Sequence, residues 1–300
     1  MGECELYLGI DVGSVSTNII VMDKNLNVLE KNYIRTQGRP IQILKESLME
    51  LSSNLPLRST IAGVGCTGSG RELAGAIVGA DVVKNEITAH GMAAITFLPD
   101  TSTVIEIGGQ DSKMIIIRNG IITDFAMNTV CAAGTGSFLD RQASRLNIPI
   151  SEFGELAEAS KAPVRIAGRC AVFAESDMVH KQQMGYEVED IVKGLCIALV
   201  RNYLNNVGKG KEILPRVVFQ GGVAANRGIK NAFEDMLGTE ITVPEHYDVM
   251  GALGAAILAR EETKKSKITK FRGFERLKDD FISTSFECNG CPNMCEIVEI

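Results

Sequence analysis

The sequence lacks the features that mark three common classes of partner or location. Its formal net charge of −6 offers no basic surplus for DNA or RNA, so we expect no nucleic-acid partner. No apolar run reaches the roughly 20 residues that span a bilayer, and we expect no membrane association. The N-terminus enters a strand pattern almost at once, without the basic segment and cleavage site of a signal peptide. These absences predict a cytoplasmic protein.

Histidine is also scarce, whereas cysteine is not. The three histidines, His90, His180 and His246, show no metal-ligand spacing among themselves and are interpreted as surface or satisfied polar residues. In a reducing compartment, thiols more often bind metal or do redox work than form disulfides. Of the eight cysteines, five are scattered (Cys4, Cys66, Cys131, Cys170, Cys196) and three are clustered (Cys288, Cys291, Cys295).

A duplicated strand–turn–strand unit organises the chain. Ile10-Asp11-Val12-Gly13-Ser14 runs into the apolar stretch 19–22, and Ile105-Glu106-Ile107-Gly108-Gly109 runs into 114–117, at a constant offset of 95 residues. In each copy an acid ends the first strand, a glycine turn follows, and a β-branched strand leaves it. Turn-type pairs, Lys24-Asn25 and Asn119-Gly120, then close each second strand as in a hairpin. Two such units at corresponding points of two halves indicate a duplication.

The rest of the chain alternates helical and strand patterns. We predict helices over 41–51, 134–146, 150–159, 171–183, 188–207 and 249 to about 262, and strands over 60–64 and 216–219. Strands mixed with helices predict an α/β fold with covered sheets, and 45% hydrophobic residues can fill two cores. The expected domains are a first lobe over 1–97, a second over 98–262 whose last helix is a candidate to return to the first, and a linker with a Cys-rich tail over 263–300. The charge run 264–267 is interpreted as solvated.

Three glycine turns are candidates for a nucleotide site. Glycine lets backbone N–H groups approach a phosphate closely. The first turn offers Gly13, Ser14, Ser16 and Thr17, the second offers Gly108, Gly109, Gln110 and Asp111, and the third offers Gly221, Gly222, Val223 and Asn226. Any one glycine turn is more often only a turn. Together, in this order, they predict phosphate binding by the first two and purine and ribose binding by the third.

Two acids stand beside the first two turns. Facing one another across a cleft, Asp11 and Glu106 would hold Mg²⁺, through waters because that ion dehydrates reluctantly. Gly108, Gly109 and Gln110 would then face the γ-phosphate. We therefore interpret Asp11, Glu106 and Gln110 as the catalytic group.

Two of the scattered cysteines each precede a predicted helix. Cys131 is followed by Ala-Ala-Gly-Thr-Gly and Cys170 by Ala-Val-Phe-Ala-Glu. A helix N-terminus favours thiolate, and an iron–sulfur cubane usually needs four thiolates, which a two-fold dimer of such chains would supply. The alternative is that a buried cysteine is a small hydrophobe, and this is our interpretation of Cys66 and Cys196. From residue context alone both interpretations stay open for Cys131 and Cys170.

The clustered cysteines form a tight group near the C-terminus. The spacing of Cys288, Cys291 and Cys295 is typical of a metal site, but three thiolates leave one ligand missing. Both zinc and an iron–sulfur centre remain open for this group.

Four segments resemble one family of ATPases. They are Gly108-Gly109-Gln110-Asp111-Ser112-Lys113, Asn128-Thr129-Val130-Cys131-Ala132-Ala133-Gly134-Thr135-Gly136, Gly168-Arg169-Cys170-Ala171-Val172-Phe173 and Gly221-Gly222-Val223-Ala224-Ala225-Asn226. These segments resemble the activator ATPases of 2-hydroxyacyl-CoA dehydratases and the ATPase subunits of benzoyl-CoA reductases. The resemblance covers roughly residues 5 to 260 of the chain. The tail resembles the junction of long fused relatives that continue into a dehydratase-like region.

This resemblance implies a fold and an activity. The fold would be the actin-like ATPase architecture of actin, sugar kinases and heat-shock chaperones, with two lobes of duplicated ribonuclease-H-like units. It uses no Walker A sequence, and none is present. Activators of this kind are homodimers with one [4Fe-4S] cluster bridging the subunits, which implies Cys131 and Cys170 as its ligands. The segment Gly134-Thr135-Gly136 joins the implied nucleotide contacts. Glu106 departs from the wider superfamily, where many relatives carry aspartate.

The implied function is ATP-driven, one-electron activation. ATP, Mg²⁺ and the [4Fe-4S] cluster would be the cofactors. A 2-hydroxyacyl-CoA dehydratase or related double-cluster reductase would accept the electron, and flavodoxin or ferredoxin would donate it. Two alternatives stay open: a small-molecule kinase of the same superfamily, with Asp111 as base, and a non-enzymatic, ATP-gated binding module.

Overall fold

The computed structural model describes residues 4–128, 131–167, 170–266, 268–279, 281 and 284–299. Thr129, Val130, Gly168 and Arg169 of the two cysteine motifs lie outside these ranges, as do Lys267 and Asp280 of the predicted linker. The chain forms two compact units, Met1–Ala89 with Gly251–Ile300, and His90–Met250. Within the described ranges, no helix is both long enough and apolar enough to cross a membrane.

The first unit contains a five-stranded sheet in the order β3-β2-β1-β4-β5. Its strands are β1 (Cys4–Val12), β2 (Ser16–Asp23), β3 (Val28–Arg35), β4 (Ser59–Thr67) and β5 (Val82–Val83). Helices α1 (Pro40–Asn54) and α2 (Arg71–Val78) precede and follow β4, α3 (Glu86–Phe97) begins in this unit, and α9 (Met250–Ser266) rejoins it. β1 and β2 are antiparallel, whereas β1 and β4 are parallel and need the crossover that α1 provides.

Helix α9 packs closely on this sheet through two glycines. Gly9 on β1 and Gly65 on β4 have no side chain, and a Cβ at either would collide with the carbonyl of Ala252 or Ala255 on α9. The central strand β1 is buried along both faces from Leu6 onward, as expected for a strand covered on two sides.

The second unit repeats this design, with a sheet in the order β10-β9-β6-β7-β8. Its strands are β6 (Thr103–Ile107), β7 (Ser112–Arg118), β8 (Ile121–Asn128), β9 (Val217–Gln220) and β10 (Ile241–Thr242). Its helices are α4 (Gly136–Leu146), α5 (Phe153–Ala159), α6 (Ala171–Gln183), α7 (Val188–Asn206) and α8 (Arg227–Leu237). Asn119 and Gly120 adopt φ values of 53° and 73° between β7 and β8, which confirms the predicted hairpin.

The duplication extends to the pairing register. In the first unit, Asp11 lies opposite Asn18 on β2 and Thr67 on β4. In the second, Glu106 lies opposite Lys113 on β7 and Gln220 on β9. Because residues directly opposite in a sheet present side chains on the same face, each acid stands between two defined neighbours.

The segment predicted as a linker instead packs on the first unit. Helix α9 continues to Ser266, beyond the predicted end near residue 262. The carboxylate of Asp81 then accepts hydrogen bonds from Thr269 Oγ1 at 2.8 Å and from the backbone N–H of Lys270 at 2.7 Å. Leu277 is 1% exposed in the first unit's core, which also contacts Phe271 and Phe274. We call residues 268–279 and 281 the strap. The apolar side chains of the strap, spaced among charges, explain why it packs on this unit.

Beyond the strap, β11 (Thr284–Glu287) and β12 (Glu296–Glu299) form an antiparallel hairpin. The lobe boundaries at residues 97 and 262 remain our proposal for the domain organisation.

Candidate functional site

The first glycine turn closes tightly at the end of β1. The backbone N–H of Gly13 donates to the carbonyl of Ser16 at 2.9 Å, and Thr36 Oγ1 donates to the carbonyl of Gly13 at 2.9 Å. Thr17 is fully buried, and its hydroxyl lies 3.0 Å from that of Thr36. Thr17, predicted as a nucleotide contact, therefore supports the turn indirectly, through the Thr36 hydroxyl that binds the carbonyl of Gly13. Ser14 is exposed on the turn.

Asp11 lies among buried polar atoms. The side chain is 8% exposed, and its two register partners, Asn18 and Thr67, are 7% and 0% exposed. Among the described residues, Asn18 Oδ1 and Thr67 Oγ1 find no hydrogen-bond partner, although both are buried. Buried polar atoms are nearly always satisfied by a protein group, a water or an ion. A carboxylate beside two such oxygens fits a hydrated divalent cation, whose waters would donate to them.

The second turn carries a buried ion-pair cluster. Lys113 Nζ lies 3.0 Å from Glu106 Oε2 and 2.8 Å from Asp111 Oδ2. Glu106 and Lys113 are 4% and 2% exposed. Tyr203 OH donates to the carbonyl of Lys113 at 2.6 Å. Burial, reinforced by the Glu106 carboxylate, raises the pKa of Tyr203, so its hydroxyl stays protonated and can donate. Gln110 is exposed at the tip of this turn.

The third turn reaches Glu106 from the neighbouring strand. Gly221 has φ of 89°, and a Cβ there would lie 2.7 Å from Glu106 Oε1. Gly222 begins the short 3₁₀ turn Gly222–Ala225, in which Val223 is buried. Asn226 Oδ1 accepts from the backbone N–H of Ile229 at 3.1 Å and so caps α8, a role that its Asn-x-x pattern before a helix could have indicated. The structure thus brings the second and third turns together.

The second turn is hydrogen-bonded to the segment that follows Cys131. The backbone N–H of Gly136 donates to the carbonyl of Gly108 at 2.8 Å. Ser137 donates twice to the carbonyl of Gly109, from its N–H at 2.8 Å and its hydroxyl at 2.6 Å. Thr135 is fully buried and donates its hydroxyl to Ala132, and Gly134 is buried beside it. Sequence reasoning missed Ser137, which no motif distinguishes from other serines at helix starts.

Both candidate cluster cysteines stand at helix starts, as predicted from their sequence context. Cys131 precedes the 3₁₀ turn Ala132–Gly134 that leads into α4, and Asn128 holds its backbone through bonds of 2.7 and 3.0 Å. Cys170 is exposed at the N-cap of α6. Two accessible thiols per chain fit half of the donor set of a four-thiolate cluster.

An ion-pair bridge connects the two helices that follow these cysteines. Glu175 on α6 lies 2.7 Å from Arg141 Nε and 3.6 Å from Arg145 Nε, both on α4. Glu175 is only 16% exposed at its side chain. These ion pairs therefore join α4 to α6.

The three tail cysteines lie at the loop end of the β11–β12 hairpin. The N–H of Cys288 donates to the carbonyl of Cys295 at 2.8 Å, and the N–H of Gly290 donates to Cys288 Sγ at 3.4 Å. Within the part of the chain that the structure describes, no group of three or more His, Cys, Asp or Glu is arranged to hold a metal ion. Metal binding by Cys288, Cys291 and Cys295 stays a prediction.

Two of the remaining cysteines are buried, and two of the histidines differ in their exposure. Cys66 and Cys196 are 1% and 0% exposed, and burial raises the pKa of both thiols, that of Cys196 to about 12. They are core residues, as expected. His90 Nδ1 lies 2.8 Å from Gln220 Nε2 in the buried interior, while His180 is exposed.

Known proteins match most of the chain. The BadF/BadG/BcrA/BcrD ATPase family matches residues 8–259. The (R)-2-hydroxyglutaryl-CoA dehydratase activating ATPase of Acidaminococcus fermentans is 36% identical, over 86% of this chain and 98% of that protein. The 2-hydroxyisocaproyl-CoA dehydratase activator of Clostridioides difficile is 34% identical, over 87% and 97%. The activator of lactoyl-CoA dehydratase of Anaerotignum propionicum is 33% identical, over 86% and 98%.

Solved structures give the same assignment. Component A of the A. fermentans dehydratase superposes with a TM-score of 0.79 at 34% identity, covering 86% of this chain and 99% of that one. The Clostridium difficile activator with bound ADPNP has a TM-score of 0.79 at 33% identity, covering 87% and 97%. A ROK-family glucokinase from Streptomyces griseus, at 14% identity and a TM-score of 0.53, shares the fold over 85% of this chain and 99% of its own. The strap and hairpin follow the matched region. The chain therefore belongs to the BadF/BadG/BcrA/BcrD ATPase family, and is an ATPase with the predicted actin-like α/β architecture, related to activators of 2-hydroxyacyl-CoA dehydratases.

Proposed function

We propose that this ATPase couples ATP hydrolysis to low-potential, one-electron transfer from a [4Fe-4S] cluster to a 2-hydroxyacyl-CoA dehydratase-like or related double-cluster protein. The single observation that carries the proposal is the direct hydrogen bonding between the second glycine turn and the residues after Cys131. A turn proposed to bind phosphate, and joined by three hydrogen bonds to Gly136 and Ser137 shortly after a candidate redox ligand, is suited to transmit the state of the nucleotide.

The nucleotide part of the proposal assigns roles to both units. Asp11 and Glu106 each offer a buried carboxylate to hydrated Mg²⁺, and Gln110 stands at the exposed tip where a γ-phosphate would approach. The backbone N–H groups of the first two turns would hold phosphates, and the third turn would face the nucleoside. The ATPase assignment of the family and the bound ADPNP of the C. difficile relative support this assignment.

The redox part assigns Cys131 and Cys170 as ligands of the cluster. Each chain offers two thiolates, and a second copy related by a two-fold axis would offer the other two, so the active form is a homodimer. When bound, such a cluster supplies a one-electron carrier. The unpaired state of all eight cysteines supports a reducing, cytoplasmic location.

Coupling follows from the path between turn and thiols. Loss of the γ-phosphate changes the contacts of Gly108 and Gly109, whose carbonyls hold the first residues of α4. Glu175 passes the displacement from α4 to α6 and hence to Cys170. The transmitted free energy cannot exceed the difference between ATP and ADP contacts in the two arrangements.

The partner class comes from the relatives. Their names describe activation of 2-hydroxyglutaryl-CoA and 2-hydroxyisocaproyl-CoA dehydratases, and we propose an acceptor of that type, with flavodoxin or ferredoxin as donor. Phosphorylation of a small molecule is less well supported, because its candidate base, Asp111, is neutralised by Lys113 at 2.8 Å.

The experiment is anaerobic purification followed by two parallel assays. Protein with four irons and four sulfides per dimer, reduced by dithionite, should reduce a purified 2-hydroxyacyl-CoA dehydratase only when Mg-ATP is hydrolysed. Iron-free protein that hydrolyses ATP, or transfers its phosphate to a small molecule, would refute the electron-transfer function while leaving the ATPase assignment intact.

A further inference from the structure

The two copies of the duplicated turn differ in the residue that lies opposite the acid. In the first, Asp11 faces Asn18, a neutral residue, and in the second, Glu106 faces Lys113. Both pairs occupy the same place in the antiparallel register of their hairpins. The second turn therefore carries a built-in cation where the first carries an amide.

Lys113 is held firmly among acids. Its ammonium lies within 3.0 Å of Glu106 and 2.8 Å of Asp111, it is 2% exposed, and Tyr203 binds its carbonyl. Burying a lysine is unfavourable unless it is paired and hydrogen-bonded, and here two carboxylates compensate it. Glu106 Oε2 points to the ammonium, while Oε1 lies against Gly108 and Gly221, where an added Cβ would come within 3.3 and 2.7 Å.

Two neighbouring carboxylates without a cation between them are a good site for a hard divalent ion. Glu106 and Asp111 would form such a site, and an ion fixed there before the nucleotide would compete with the ion that ATP carries. The ammonium of Lys113 occupies the position between these two carboxylates and compensates their negative charge. At the first turn the residue opposite the acid is Asn18, whose Oδ1 finds no hydrogen-bond partner among the described residues.

We propose that Lys113 is a positioning residue that directs Glu106 toward the glycine turns and prevents the Glu106–Asp111 pair from binding a divalent ion in the absence of nucleotide. Mg²⁺ then enters this turn only together with ATP. This inference rests on the proposed role of Glu106 as an Mg²⁺ anchor. A purely structural ion pair would contribute to stability but would leave metal affinity unchanged.

The test compares variants of the full chain without nucleotide. Lys113→Met removes the cation and keeps an unbranched side chain, and Lys113→Arg keeps the charge. Lys211→Met is the matched control, because Lys211 makes a surface ion pair with Asp124 at 2.6 Å in the same unit. Binding of Mn²⁺ is followed by the spin resonance signal of the free ion.

We expect Lys113→Met to bind one more Mn²⁺ per chain than the wild type, because the affinity of the Glu106–Asp111 pair for the ion should rise about tenfold or more, the size of effect that residues around metal ligands have on metal affinity. The extra binding should vanish when Glu106→Gln is added, and should be absent in Lys113→Arg and Lys211→Met. In Mg-ATP hydrolysis, Lys113→Met should lower kcat about 10- to 100-fold with little change in the KM for ATP.

A folded Lys113→Met protein, judged by an unchanged circular dichroism spectrum, that binds Mn²⁺ like the wild type would overturn the proposal. If Lys113→Met fails to fold, Lys113→Gln retains hydrogen bonding without charge, and the same two outcomes apply to it. Because Mn²⁺ binding is measured without nucleotide or cluster, this result is independent of whether the protein transfers electrons.

Discussion

Replacing Ser137 by alanine removes one of the three hydrogen bonds that join the second glycine turn to the start of α4. The lost bond runs from the hydroxyl to the carbonyl of Gly109 at 2.6 Å, whereas the backbone bond of Ser137 to the same carbonyl, at 2.8 Å, remains. The Gly109 carbonyl thus keeps a donor, so the cost is that of a single hydrogen bond, about 1 kcal/mol.

That free energy sets the largest effect on coupling. If the whole bond forms in only one nucleotide state, its loss changes the balance between the two arrangements by a factor of about 5. ATP hydrolysis itself should stay within about twofold of the wild type, because the carboxylates at the turn are untouched. The number of ATP molecules hydrolysed per electron delivered should therefore rise up to about fivefold.

Two assays measure this directly. The ratio of phosphate release to dehydratase reduction gives the coupling, and amide hydrogen exchange of residues 131–139 with ADP and with a non-hydrolysable ATP analogue gives the movement. Ser176→Ala on α6 is the control, since its hydroxyl bonds to Val172 within its own helix, at 3.1 Å. An unchanged ratio in Ser137→Ala, or an equal change in Ser176→Ala, would refute the proposed path.

Further variants test the remaining parts of the molecule. In Cys131→Ser or Cys170→Ser, the dimer should lose its bound iron and sulfide and should no longer deliver electrons, while ATP still binds. A full cluster in either variant would mean that these cysteines have an ordinary structural role. Asp11→Asn should lower the rate of ATP hydrolysis about a hundredfold or more, because it removes a proposed Mg²⁺ anchor. Unchanged turnover with reduced thermal stability would mean that Asp11 only supports the turn. Leu277→Ala should lower the free energy of unfolding by about 2–4 kcal/mol, because the side chain fills the first unit's core. Equal melting temperatures for this variant and the wild type would contradict the docking of the strap. Deletion of 284–300, by contrast, should leave both stability and ATPase activity unchanged.

The sequence by itself determined the features that depend on neighbouring residues. Helix α6 begins and ends where its pattern predicts, at 171 and 183, and α7 and α4 differ from prediction by one or two residues. The hairpin at Asn119-Gly120 follows from residues that accept positive φ. The duplication was visible because the acid, the glycine and the β-branched strand recur at a fixed offset. Family membership followed from motifs that are themselves short and local.

Tertiary structure decided what depends on residues far apart in the chain. Gly65 and Ala255 meet only because α9 returns to the first sheet, and the strap docks because Asp81 and the core around Leu277 receive it. The roles of Thr17 as a buried support and Asn226 as a helix cap depend on the partners that folding brings to them.

The same holds for Lys113 and Ser137. Both stand within two residues of a predicted site residue. Yet only strand register shows that Lys113 forms an ion pair with Glu106, and only the packing of α4 shows that Ser137 binds Gly109. A local pattern fixes the backbone conformation of a short segment, because that conformation depends on nearby side chains. The partner of a charge or a hydroxyl is fixed by the pairing of strands and helices that are distant in sequence, and this is decided by the burial of the whole core.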